Sequence, residues 1–96
     1  PYRPKPSVIS LENSTFYGGM TWSLSALNDI IEVADTLKLK KHLDGARLLN
    51  ASVASGLSPK TLVKGFDTIS LCLSKGLACP VGAVLSFKDA SLRPLA

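Results

Sequence analysis

Between Leu73 and Gly82 the chain has room for a turn and nothing more, and that shortness constrains the fold more than any other feature. Thr68 to Leu73 reads as a strand. Ile69, Leu71 and Leu73 alternate with Thr68, Ser70 and Cys72, so small residues fill the second face and both faces can be covered. The pattern breaks at Ser74-Lys75-Gly76, turns through Gly76 to Pro80 and resumes as a strand from Gly82 to Phe87. A parallel neighbour requires a crossover of on the order of a dozen residues. The last strand is therefore predicted to be antiparallel to the one before it.

Upstream, strands alternate with helices. Ser7 to Glu12 reads as a strand that leaves through a polar exit, Asn13-Ser14-Thr15, into the flexible pair Gly18-Gly19. Ser23 to Leu37 is the clearest helix, with Leu24, Leu27, Ile30, Ile31, Ala34 and Leu37 on one face and Ser23 as its cap. Lys40 to Asp44 is a short strand with Leu43 as its core residue. Arg47 to Ser55 is a helix stopped by Gly56, and Ser58-Pro59 opens another short one, with Leu62, Val63 and Phe66 on its apolar side. Strands joined through helices are parallel neighbours. The fold class predicted is α/β, three-layer, with a mostly parallel mixed sheet and an antiparallel last strand.

The bulk numbers exclude several function classes. A chain of 96 residues with 46% apolar and 19% charged residues makes at most one globular domain. No apolar run approaches a membrane span, and Tyr2 to Pro6 reads as a linker into the first strand, without the apolar core of a signal peptide. A cytoplasmic location and no membrane partner are expected. The net charge of +4 raises nucleic acid as a partner, but the basic residues are scattered and the aromatics few, so none is expected. Lys38, Lys40 and Lys41 form the one basic cluster and read as a solvated helix end. Cys72 and Cys79 match neither a redox pair nor a zinc knuckle, so reduced thiols and no metal are expected. The glycosylation sequons at Asn13 and Asn50 read as chance matches without a secretory signal.

Three places invite chemistry. Lys75 follows a strand with two coverable faces, where an ammonium has no natural place; it is functional or paired, or else it reaches solvent from a loop. Asp44 ends a strand and is followed by Gly45, Ala46 and Arg47. The small residues would let a flat ligand approach the backbone, Asp44 would pair with a cationic atom of it, and Arg47 would bind an anionic group through its fork. Equally, Asp44 and Arg47 would form an ion pair at a helix start. Glu12 stands where a strand gives way to a loop, a site position or a solvated carboxylate. Asp44 and Lys75, at the ends of successive strands, match what pyridoxal phosphate asks of a protein: a carboxylate for the pyridinium nitrogen and an amine for the aldehyde.

The stretches LENST followed by Gly18-Gly19, HLDGARLLN, and SLCLSKGLACPVGAVL resemble, in order and spacing, the threonine aldolases of the β-eliminating lyase group, which are fold-type I pyridoxal-phosphate enzymes. The resemblance runs from about Val8 to Phe87. It implies a carbon-carbon lyase of amino-acid metabolism that cleaves L-threonine or L-allo-threonine to glycine and acetaldehyde. The alternatives are another fold-type I lyase or transaminase, or an inactive truncated product serving only as a structural or interaction unit. It further implies Lys75 as the cofactor-bearing catalytic lysine, Asp44 as the partner of the pyridine nitrogen, and Arg47 beside the cofactor and binding the substrate carboxylate. Glu12 is implied near the reacting groups, and Ser74 at the cofactor phosphate. The implied partners are a small amino-acid substrate and, in the full-length protein, further copies of the chain in a dimer or tetramer. Family members are several times longer, so residues 1–96 are expected to be the middle of the cofactor domain, without its amino-terminal part and the small carboxy-terminal domain. Where the family often has histidine this chain has Thr15, and it has Phe16 in place of asparagine. Ala78 stands for the usual glycine and Cys79 for the usual alanine; a methyl group at position 78 crowds a tight turn.

Overall fold

The structure is a computed structural model and describes residues 3–95; Tyr2, the first residue of the expected linker, lies outside them. Its order is β1 (Val8–Glu12), α1 (Leu24–Thr36), β2 (Lys40–Asp44), α2 (Leu48–Ser55), α3 (Pro59–Leu62), β3 (Thr68–Cys72), β4 (Ala83–Phe87) and a 3-10 helix, Ala90–Leu95. The four strands form one sheet in the order β1-β2-β3-β4. The first three are parallel, with Glu12 opposite Asp44 and Asp44 opposite Ser70. β4 runs antiparallel to β3, with Ser70 opposite Leu85 and Cys72 opposite Ala83. One hydrogen bond beyond that ladder, from Leu73 N to Gly82 O at 2.9 Å, joins the two residues that the sequence places at the strand ends. The 3-10 helix has no counterpart in the sequence reading.

Local signals set the helix ends. The Ser23 hydroxyl accepts from Ala26 N at 3.1 Å, which satisfies one of the amides left open in the first turn. α1 stops where Lys38 turns into the left-handed region at φ 57°. Ser58 caps α3 in the same way, accepting from Thr61 N at 3.2 Å, with Pro59 in the first turn. Gly56 ends α2 at φ 71°, a conformation that costs glycine little.

Successive right-handed crossovers that advance in one direction along a sheet put their helices on one face. The core has that form. Leu27 of α1, Leu43 of β2, Leu48 and Ala51 of α2, Leu62 of α3 and Phe66 make one buried cluster, with Leu11, Ile31, Ile69 and Leu71 packed against it. Full burial of a leucine or phenylalanine contributes about 1.5–3 kcal/mol relative to exposure, so these six residues dominate the stability of the unit. Within α1, Leu27 and Ala34 are buried as expected, whereas Leu37 is exposed and Leu24 sits at the rim.

Because strand residues alternate, Glu12, Asp44, Ser70 and Leu85 share the face opposite the helices. His42 and Thr68 meet on that face, Nδ1 to Oγ1 at 2.7 Å. Among the described residues the α-helices pack on the other face, and only the 3-10 helix reaches this one, where Leu92 lines a pocket with Val8, Lys40 and Thr68, so two of the three expected layers are supplied here. No helix among them is long and apolar enough to cross a membrane.

At the amino-terminal end of the strands the structure corrects the basic-cluster reading. Lys41 is not solvated; it is buried in β2. Its ammonium donates to Asp35 and lies 3.6 Å from the Asp67 carboxylate, which also accepts from Lys41 N at 2.8 Å. Burial alone would lower its pKa, but the hydrogen bond to Asp35, joined by the charge of Asp67, raises it above the ordinary value.

Candidate functional site

The carboxyl ends of the three parallel strands gather the residues marked out by the sequence. Glu12 ends β1, Asp44 ends β2 beside it, and Ser74 and Lys75 follow β3. Ligands in open α/β sheets bind at this edge because loops there leave backbone and side chains unspent.

Gly45 draws β2 against β3. Its N–H donates to Ser70 O at 2.8 Å, and a Cβ at position 45 would lie 2.8 Å from that oxygen and 3.2 Å from Leu48 Cβ. The reading that Gly45 and Ala46 admit a flat ligand is thereby corrected. Both are buried, and what Gly45 admits is the carbonyl of β3. The tight turn aims Asp44 instead: its Oδ1 accepts from Ala46 N at 3.0 Å, leaving the second oxygen for another partner.

The ion pair between Asp44 and Arg47 that the sequence left open does not form among the described residues, where both ion pairs belong to Lys41. Arg47 begins α2 without a side-chain cap. Its guanidinium carbon lies 5.5 Å from the centre of the Phe16 ring. Phe16 in turn meets Tyr17 edge to face, with ring centres 5.1 Å apart.

Lys75 reaches solvent. Its loop is nonetheless ordered by backbone bonds, Ala78 N to Lys75 O and Cys79 N to Leu73 O, each 2.9 Å. The loop packs on α2, because a Cβ at Gly76 would lie 2.7 Å from Asn50 Oδ1. Asn50 is three residues beyond Arg47, on the same side of the helix, so this contact brings the lysine loop to the arginine turn. Ala78 holds φ 56°, the left-handed conformation that its methyl group disfavours. Ser74 is exposed at the start of the same loop.

Sequence reasoning missed several neighbours. Asn13 and Ser14, read as a polar exit, are buried. Asn13 N donates to Asp44 O at 3.0 Å, tying the ends of β1 and β2 together, and neither atom of its side-chain amide has a partner among the described residues. Trp22 Nε1 donates to Glu12 O at 2.9 Å. A cleft of about 440 Å³ opens there, lined by Glu12, Thr15, Tyr17, Met20, Thr21 and Trp22. The indole carries no motif spacing that would have flagged it; Asn13 lies within LENST but was read only as part of the polar exit and a chance sequon, and Phe16 was marked only as a departure.

As a donor set, a carboxylate, a guanidinium, a hydroxyl and an amine at one sheet edge fit pyridoxal phosphate. Asp44 suits its ring nitrogen, Lys75 its aldehyde, and Ser74 and Arg47 its anionic groups.

The chain matches the beta-eliminating lyase family over residues 1–94. It is 42% identical over 85 residues to low-specificity L-threonine aldolase 1 of Arabidopsis thaliana, covering 88% of this chain and 24% of that protein. It is 47% identical over 78 residues to the low-specificity L-threonine aldolase of Candida albicans, covering 81% of this chain and 20% of that protein. The solved structure of a Listeria monocytogenes protein assigned as an L-allo-threonine aldolase superposes with a TM-score of 0.83 at 25% identity, covering 90% of this chain and 24% of that one. The chain thus spans about a quarter or less of the length of the relatives it matches.

Proposed function

Since the chain belongs to the beta-eliminating lyase family, we propose that it is the central part of the cofactor domain of a threonine aldolase, which cleaves L-threonine or L-allo-threonine to glycine and acetaldehyde. The observation that carries this reading is the set Asp44, Arg47 and Lys75, none of them in an ion pair among the described residues, at the carboxyl ends of β2 and β3 and the start of α2. Pyridoxal phosphate, when bound, supplies the electron sink that Cα–Cβ cleavage requires. Lys75 would hold the cofactor through its amine, and the proton that leaves the substrate hydroxyl would be matched by one delivered to Cα after the bond breaks. Asp44 keeps a proton on the ring nitrogen, Arg47 binds the amino-acid carboxylate, Ser74 donates to the phosphate, and Glu12 stands near the hydroxyl that loses its proton. A full-length protein would assemble as a dimer or tetramer, in the cytoplasm.

The test is acetaldehyde release from L-threonine by a full-length protein carrying this segment. Asp44→Asn removes the charge on the ring nitrogen and keeps the shape, so turnover should fall far more than cofactor affinity. Equal losses in both would point to a structural carboxylate. The 96 residues alone are expected to release no acetaldehyde, because one sheet face and both edges lack partners among the described residues.

A further inference from the structure

Arg47 has an unusual setting for a half-buried guanidinium: an aromatic face and, among the described residues, no carboxylate partner. We infer that Phe16 is a positioning residue, which holds the Arg47 guanidinium ready for a carboxylate ligand; the inference rests on the proposed role of Arg47 in binding the amino-acid carboxylate.

The nearest carboxylate in sequence, Asp44, accepts from Ala46 N through one oxygen and does not pair with Arg47. A ring face attracts a cation through its quadrupole without accepting its N–H groups as a carboxylate would. Phe16 therefore restrains the side chain while leaving the planar fork available, and a restrained fork loses less freedom when it closes on a ligand.

The platform is itself held. The Thr15 hydroxyl donates to Tyr17 O at 2.9 Å and accepts from Met20 N at 3.2 Å, and Thr15 N donates to Met20 O at 2.9 Å. Gly18 and Gly19 complete the turn at φ 80° and 59°. Phe16 packs on Tyr17, although both rings are largely exposed, at 64% and 87%. Two solvated aromatics on a pinned loop contribute little to the core, and Phe16 places its ring against Arg47. Thr15 and Tyr17, its neighbours in sequence, line the cleft that contains Glu12, so the loop that carries Phe16 also forms one wall of that cleft.

The test uses a full-length protein carrying this segment, in which Arg47→Lys identifies the Arg47 signal. Nitrogen-labelled arginine resolves the Arg47 Nε–Hε signal, which the Phe16 ring should shift away from the free-arginine position. Phe16→Leu should abolish that shift and weaken binding of L-threonine, followed at the same signal, by about two- to fivefold. Phe16→Tyr should keep both the shift and the affinity. Arg47→Lys, followed at Trp22, should lose most of the threonine response. An unshifted Arg47 signal in the unsubstituted chain overturns the inference, as does a Phe16→Leu chain that loses the shift yet binds threonine unchanged; in that second case the carboxylate role of Arg47 stands. Threonine binding indifferent to Arg47→Lys overturns the carboxylate role and the positioning role together, even with the ring shift present.

Discussion

Two lysines at opposite ends of the sheet meet opposite fates. Lys41, inside β2, is buried, and two aspartates neutralise it. Lys75, just past β3, reaches solvent and forms no ion pair among the described residues. A buried ammonium persists only with partners, because its desolvation would otherwise unfold the strand. Lys41 therefore serves the fold, and its charge is spent. Lys75 has nothing spent on its amine; what is fixed there is the backbone that carries it. The amino end of the sheet is satisfied in its side chains. The carboxyl end is rigid in its main chain and open in its side chains, which suits a site that must receive a ligand.

The contrast is broken most severely at Gly45. Gly45→Ala forces a methyl group against the Ser70 carbonyl and Leu48. It should cost about 3 kcal/mol in denaturant unfolding, because backbone cannot give way as a side-chain tip can. A loss well under that would mean that the carboxyl end is not held by this close approach.

A smaller loss is expected at the other end. Lys41→Met leaves the Asp35 and Asp67 carboxylates without their partner, and should cost about 1–3 kcal/mol because both remain partly hydrated. The pH dependence gives a sharper signature. The folded pKa of Lys41 is raised, first by the hydrogen bond to Asp35, above the ordinary lysine value of 10.5. Its contribution is complete below that value and fades as pH rises through the raised one. The stability gap between the unsubstituted chain and Lys41→Met should therefore be constant at neutral pH and close on the alkaline side. A gap that instead closed toward acid, above the carboxylate range, would contradict the assignment.

The smallest effect is a gain. Ala78 holds a left-handed backbone in the loop after Lys75. Ala78→Gly should relieve it and stabilise the chain by roughly 1 kcal/mol, part of the relief being offset by the greater freedom of glycine when unfolded. Destabilisation on thermal unfolding would show that the methyl group packs favourably instead.

Much of this was legible before the fold. Alternation in Thr68–Leu73 marks Ile69 and Leu71 as the side that packs on the core, the helical period of Leu27, Ile31 and Ala34 does the same for α1, and a short connection dictates an antiparallel neighbour. Ala78 was marked through the resemblance, as an alanine in place of a glycine; what the structure shows there is a left-handed backbone. Lys41 was misread because adjacent lysines look alike in sequence. Strand alternation turns Lys40 outward and Lys41 inward, and the partners of Lys41 come from a helix end and from Asp67, 26 residues away. Gly45 was marked correctly and explained wrongly, since nothing local says whether a ligand or a neighbouring strand needs the space. Asn13, Trp22 and Phe16 gain their roles through contacts between β1, its exit loop and α2, which no local pattern encodes.

The central claim is that Lys75 is the reactive amine of this segment and Lys41 is not. Incubation of the chain with limiting pyridoxal phosphate, borohydride reduction and peptide mapping test it directly. The account predicts a pyridoxyl label concentrated on Lys75 and lost in Lys75→Ala, with Lys41 unlabelled because its ammonium is buried and held by Asp35. A label that survives on this segment in Lys75→Ala, or that spreads evenly over the exposed lysines, would contradict it.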